Sequence, residues 1–260
     1  MGIINVTPDS FYSGSRFNSD IEIVTVAEKM IRDGVDIIDI GGSSTRPGAS
    51  ETSVMEEEKR VLSAVKLIRK EFPDTIISVD TYRAAIAEKA IVEHGAHIIN
   101  DVSGGDADAN MFDVISKTKA PYILMHSKGS PKTMQNNPSY DDIVADILKY
   151  FSKKILKLRN AGVNDIIIDP GFGFGKTLEH NFELLRRLED FAIAGLPLLV
   201  GLSRKSIIWK SLDITANEAF AGTVALNTVA LIKGADIIRV HDVKEAVQTI
   251  KLVCKIKNSS

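Results

Sequence analysis

Cysteine is almost absent from this 260-residue chain, and a single copy, Cys254, excludes an internal disulfide and a cysteine-built metal cluster. Strong charge is absent too. A net charge of −2 and a pI near 6.2 exert no global pull toward nucleic acid or anionic membrane. No apolar run reaches the ~18 residues that a membrane span needs. The start, MGIINVTPDSF, lacks a basic segment followed by a long apolar core, so no signal peptide is expected. Metal-cage spacing is missing as well: His94 and His97 flank a helix end and His180 opens a helix, which reads all three as structural. No Ser-His-Asp or Cys-His arrangement is legible. What remains, 44% hydrophobic and 25% charged residues, is the composition of a globular protein expected in the cytoplasm. Cys254 continues the apolar stripe of Val243, Val247 and Ile250, so it is expected to pack as a small hydrophobe.

Strand-length apolar runs alternate with helix-period segments eight times. The runs centre on Ile3–Val6, Ile37–Ile40, Ile76–Val79, Ile98–Ile99, Ile123–Met125, Ile166–Ile168, Leu198–Val200 and Ile237–Val240. Between them, Val61, Val65, Ile68 and Phe72 form one i, i+4, i+7 stripe, and Ile143, Ile147, Phe151, Ile155 and Leu158 form another. Gly34, Gly95, Gly162 and Gly234 each stand where a helix ends and an Ile-Ile strand follows, the place of a left-handed cap. Eight β-α units in a chain near the ~250 residues typical of a (β/α)8 TIM barrel predict that fold, as one domain over residues 1–260. A doubly wound open sheet is the alternative, and the lack of a nucleotide fingerprint argues against it.

The stretch from Ile166 to Lys176, IIIDPGFGFGK, concentrates the chemistry. A β-branched strand ends in Asp169, Pro170 stops it, and Gly171, Gly173 and Gly175 alternate with Phe172 and Phe174. It is neither a Walker loop, which would need glycine where Pro170 stands, nor a G-x-G-x-x-G fingerprint. At or just after the strand ends stand Asn5, Asp39, Asp80, Asn100, Asp101, His126, Asp169, Ser203, Arg204, Lys205, Arg239 and His241. A barrel builds its active site at that face. Asp80, Asn100 and Asp169 are read as one hydrogen-bonding pocket, while Asp39 and Asp101 are read equally well as helix caps. Arg239 and His241, two apart after the last strand, can receive a phosphate or diphosphate with Asn5; a surface salt bridge is the plainer reading of Arg239. Two long Gly/Ser/Pro-rich loops, NVTPDSFYSGSRF and GGSSTRPGAS, follow the first two strands and suit substrate covers or ordinary surface turns.

GIINVTPDSF, GGSSTRPG, SVDT, HIINDVSG, LMH with PKTMQ downstream, DPGFGFGK, SRKS and RVHD stand in the order that resembles the dihydropteroate synthase family, from Gly2 to the last helix. Pterin-binding methyltransferases linked to corrinoid proteins share the pocket logic, but SRKS and RVHD resemble the synthases. A non-catalytic pterin-binding barrel is the third reading. The resemblance implies condensation of 6-hydroxymethyl-7,8-dihydropterin diphosphate with p-aminobenzoate to 7,8-dihydropteroate and diphosphate, with Mg²⁺ as cofactor. It implies a homodimer and small-molecule partners, with neither nucleic acid nor membrane. Carried over by position, Asp80, Asn100, Asp169, Phe174 and Lys205 bind the pterin. Asn5, Thr45, Arg239 and His241 take the diphosphate, with Asn5 on the metal. Phe11, Thr45, Arg46, Pro47 and Ser203 surround p-aminobenzoate, and Lys205, Arg239 and His241 form the catalytic set. Three departures stand out: Ser13 and Ser43 replace acids common in the family, and the usual hairpin before the first strand is missing.

Overall fold

The computed structural model describes residues 1–7, 16–43, 52–129 and 138–258, with side chains from residue 20 in the second segment. The apolar runs form eight parallel strands: β1 Gly2–Asn5, β2 Ile37–Gly41, β3 Ile76–Asp80, β4 Ile98–Asp101, β5 Tyr122–Met125, β6 Ile166–Asp169, β7 Leu199–Val200 and β8 Ile237–Ile238. β1 to β6 pair in chain order, and β7 pairs with β8. Two bridges join these groups, Ile168 to Leu198 and Gly2 to Val240. Backbone hydrogen bonds hold both seams: the Ile168 N–H donates to Pro197 at 2.9 Å and the Ile3 N–H to Val240 at 3.0 Å. The sheet therefore closes on itself into a (β/α)8 barrel, which removes every strand edge.

Around it run α1 Arg16–Arg32, α2 Val54–Glu71, α3 Ala84–Val92, α4 Met111–Thr118, α5 Ile143–Asn160, α6 Leu178–Arg186, α7 Ser206–Trp209, α8 Phe220–Ile232 and α9 Val243–Asn258. α2 and α5 bury the stripes read from the sequence, and each starts on a side-chain cap. Ser53 accepts the Glu56 N–H, and Asp142 accepts those of Val144 and Ala145. Gly34, Gly95, Gly162 and Gly234 all have positive φ, from 72 to 100°, as left-handed helix ends require. His180 completes a capping box with Thr177, and His97 accepts the Ile77 N–H, so both serve the backbone. Cys254 departs from its expectation. α9 buries Val243, Ala246, Thr249 and Val253, Val247 and Ile250 pack half-buried beside them, and Cys254 falls at the exposed edge of that face. The small Ala246 and Thr249 line that face, and the Thr249 hydroxyl is satisfied by the Glu245 carbonyl at 2.8 Å.

The period-two alternation of each strand sorts its residues. Ile38, Ile40, Ile77, Val79, Ile99, Ile166, Ile168 and Ile238 pack in the large cluster shared with the helices. Ile37, Ile98, Ile123, Ile167, Leu199 and Ile237 form a separate cluster that fills the barrel interior. Two residues further along that same inward face come Asp39, Asn100, Met125, Asp169, Gly201 and Arg239. The barrel is thus plugged with aliphatics at its N-terminal end and opens into polar groups at the other.

Candidate active site

Strand register places the polar residues on one level. Asn5 lies opposite Gly41, Gly41 opposite Asp80, and Asp80 opposite Asn100. A Cβ at Gly41 would sit in ordinary contact with Asn5 Oδ1 at 3.5 Å and Asp80 Oδ2 at 3.6 Å, so these two side chains flank Gly41. Across the mouth, Arg239 donates from Nε to Asp39 Oδ2 at 2.6 Å and from Nη2 to Asp80 Oδ2 at 2.9 Å. Asn100 Nδ2 donates to that same Asp39 oxygen at 3.1 Å. Asp39 is fully buried, and its Oδ1 has no hydrogen-bond partner among the described residues. Burial pushes the Asp80 carboxyl up to about 7, with the Arg239 guanidinium opposing.

Asp39 therefore belongs to the barrel mouth; it caps no helix. Asp101 is the turn-holder of the pair, accepting from the Ser103 N–H and hydroxyl, the Gly105 N–H and the Tyr122 hydroxyl. The two cations of SRKS also part company. Arg204 forks onto Asp242 at 2.8 and 3.1 Å, joining the loops after β7 and β8. Lys205 turns inward. Its Nζ donates to the Phe172 carbonyl at 2.7 Å and stands 5.0 Å from the centre of the Phe174 ring. Burial draws the Lys205 ammonium down to about 8, with the Asp169 charge opposing.

Asp169 accepts the Gly171 N–H on Oδ1 at 2.7 Å and is 6% exposed. Burial raises its carboxyl, chiefly against the charge of Lys205. Ser203 Oγ lies 3.0 Å from His241 Nδ1 and also accepts the His241 N–H at 3.3 Å, so these two sit side by side at the rim. One described wall thus gathers Asn5, Asp80, Asn100, Asp169, Phe174, Ser203, Lys205, Arg239 and His241. Phe11, Ser13, Thr45, Arg46 and Pro47 lie outside the described residues. Three residues are not read into the mouth from the sequence: Asp39, which lines it, and His126 and Lys176, which lie behind its Gly-rich wall. The first was signalled by its Ile-x-Asp spacing, which matches Ile-x-Asn before Asn100 and Ile-x-Asp before Asp169.

A carboxylate, an amide, a lysine and an aromatic ring around one half-buried mouth can hold a flat heterocycle with both donor and acceptor edges. Comparison with known proteins agrees in class. The profile of the family described as "Pterin binding enzyme" matches residues 1–241. The chain belongs to this family. Among curated relatives, the dihydropteroate synthase of Escherichia coli (strain K12) is 46% identical over 97% of this chain and 89% of its own length. That of Synechocystis sp. is 44% identical over 100% and 89%. Among solved structures, the Yersinia pestis dihydropteroate synthase in complex with a sulfonamide drug superposes with a TM-score of 0.93 at 42% identity, covering 100% of this chain and 93% of that one. The Clostridium difficile dihydropteroate synthase, studied in the presence of pteroic acid, gives 0.92 at 41% identity, covering 98% and 95%.

Proposed function

We propose that this protein is a dihydropteroate synthase, joining p-aminobenzoate to 6-hydroxymethyl-7,8-dihydropterin diphosphate with release of diphosphate. The observation that carries the reading is the convergence of Asp169, Lys205 and Phe174 on one mouth with Asp80 and Asn100. An aminopyrimidinone edge offers parallel N–H donors, and a carboxylate such as Asp169 accepts them as a pair. Lys205 donates to ring acceptors while Phe174 stacks. Asp80 and Asn100 take the remaining polar atoms of the ring.

Arg239, His241 and Asn5 border the same mouth on the side proposed for diphosphate. Negative charge grows on that group as it leaves, and cations fixed in a low-dielectric site stabilise it there. Ser203, beside His241, is proposed at the arylamine side. The amine attacks the exocyclic methylene carbon, forming the C–N bond as the C–O bond to diphosphate breaks; its proton goes to solvent. The residues then contribute position and electrostatics, with no strong general base required.

Mg²⁺ fits this donor set as an ion carried by the substrate. Asn5 offers one amide oxygen at a strand end, and no cluster of three His, Cys, Asp or Glu side chains suited to a metal occurs among the described residues. Magnesium commonly keeps its waters and binds through one or two protein oxygens plus phosphates. Once bound, it would neutralise charge on the departing diphosphate. Diphosphate release should require p-aminobenzoate and stop when EDTA removes Mg²⁺; release that ignores both would overturn the proposal.

A homodimer is proposed with it. α8 has no charged residue, and Phe220, Val229 and Ile232 on it stay exposed. Light scattering should give twice the 28.4 kDa chain mass; a monomer at micromolar concentration would contradict this. No described helix is long and apolar enough to cross a membrane, and we place the enzyme in the cytoplasm.

A further inference from the structure

Lys176 closes the Gly-rich stretch and is 3% exposed; burial draws its ammonium down to about 7, with the Asp169 charge opposing. An unpartnered buried charge would cost several kcal/mol. Among the described residues no carboxylate forms an ion pair with it. It is held instead by the Gly171 carbonyl at 2.8 Å, the Phe174 carbonyl at 2.9 Å and His126 Nδ1 at 3.1 Å, with the His126 carbonyl further off at 3.5 Å. An ammonium has three protons, and the three shorter contacts can take them. With the ammonium donating, Nδ1 is the acceptor and the neutral His126 ring carries its proton on Nε2. Burial, reinforced by Lys176 and Lys128, draws this imidazole down to about 2, which agrees.

The backbone is shaped around this amine. Gly171, Gly173 and Gly175 have φ of +71, +84 and +64°, conformations that bend the loop back over its own lysine. The loop also lies hard against the segment after β5. A Cβ on Gly171 would meet the His126 carbonyl oxygen at 2.0 Å, and one on Gly175 would meet that of Lys128 at 2.4 Å. The loop so fixed supplies the Phe172 carbonyl that receives Lys205 and the Phe174 ring beside it.

We infer that Lys176 is a positioning residue for the pterin wall: by tying the Gly171 and Phe174 carbonyls to the His126 ring, it sets the placement of Phe174 and Lys205. The inference rests on the pterin-pocket reading above. It gives Lys176 no contact with reacting atoms, so its loss acts through the loop.

The test uses the full chain and two probes, 6-hydroxymethylpterin by calorimetry and p-aminobenzoate by KM at saturating pterin diphosphate. Lys176→Met should weaken the pterin at least tenfold and change the p-aminobenzoate KM less than twofold. His126→Leu, which removes one acceptor, should weaken the pterin three- to tenfold. His126→Asn, which can put an amide oxygen where Nδ1 stood, should stay within twofold of wild type. Unchanged pterin affinity in Lys176→Met, or a p-aminobenzoate KM that rises in step, overturns the inference; so does His126→Asn weakening as much as His126→Leu. Should Lys176→Met fail to fold, the two His126 variants decide alone. Wild type that cannot bind 6-hydroxymethylpterin overturns the pocket reading, and this inference with it.

Discussion

Arg239→Ala is expected to lower stability by about 3–5 kcal/mol, the usual consequence of removing one partner from a buried ion pair. The guanidinium serves two carboxylates at 2.6 and 2.9 Å, and Asp39, the nearer, is fully buried. Without it, two acids face each other in a low-dielectric mouth, and Asn100 loses the geometry it shares through Asp39. Pterin affinity should therefore fall together with the diphosphate-dependent step. From the sequence, Arg239 reads as an anion receiver whose removal would spare pterin binding; the two carboxylates change that expectation. Urea unfolding of wild type, Arg239→Ala and Arg239→Ala combined with Asp39→Asn reads the effect. The added Asn removes one orphaned charge and should restore part of the loss. A loss under about 1 kcal/mol would mean that the pair resembles an exposed surface bridge.

Asp169→Asn carries the second large effect, this time on affinity. Asp169 Oδ1 already accepts the Gly171 N–H, and the two oxygens together are proposed to face the paired pterin N–H donors. An amide can keep only one acceptor, so its NH₂ must point at a donor on one side or the other. Losing a hydrogen bond to a charged group costs roughly 1.5–3 kcal/mol, which corresponds to about 10- to 150-fold in affinity. Lys205 also loses the carboxylate whose charge opposes its desolvation. Calorimetry with 6-hydroxymethylpterin should show at least the tenfold loss, with little change in the urea midpoint. Wild-type affinity in Asp169→Asn would remove this carboxylate from the pterin edge.

The parts of the barrel that were legible in the sequence have local causes. Ile-rich runs ending in an acid or amide mark strands whose far ends are polar, and glycines with positive φ end the helices before them. That pattern reads Asp80, Asn100 and Asp169 as strand-end neighbours from local sequence alone. Partnerships made by closure were not legible. Arg239 meets Asp39 and Asp80 from 200 and 159 positions away, and only a closed sheet brings β8 opposite β2 and β3. Lys176 and His126, 50 positions apart, look like a loop lysine and a strand-end histidine until the glycines fold one onto the other. Arg204 shows the converse. Its place in SRKS suggests site chemistry, yet its fork is spent on Asp242. Cys254 is exposed because the buried face of α9 passes through Val253, and the stripe of Val243, Val247 and Ile250 leaves the core at its last turn.

The central claim is that this mouth transfers a pterin to an arylamine. Its most direct test incubates the full chain with 6-hydroxymethyl-7,8-dihydropterin diphosphate, Mg²⁺ and ring-labelled p-aminobenzoate, then identifies the products by mass spectrometry. Labelled 7,8-dihydropteroate and diphosphate should form in equal amounts. Unchanged substrates despite tight pterin binding, or hydroxymethyl pterin with all label still in p-aminobenzoate, would contradict it.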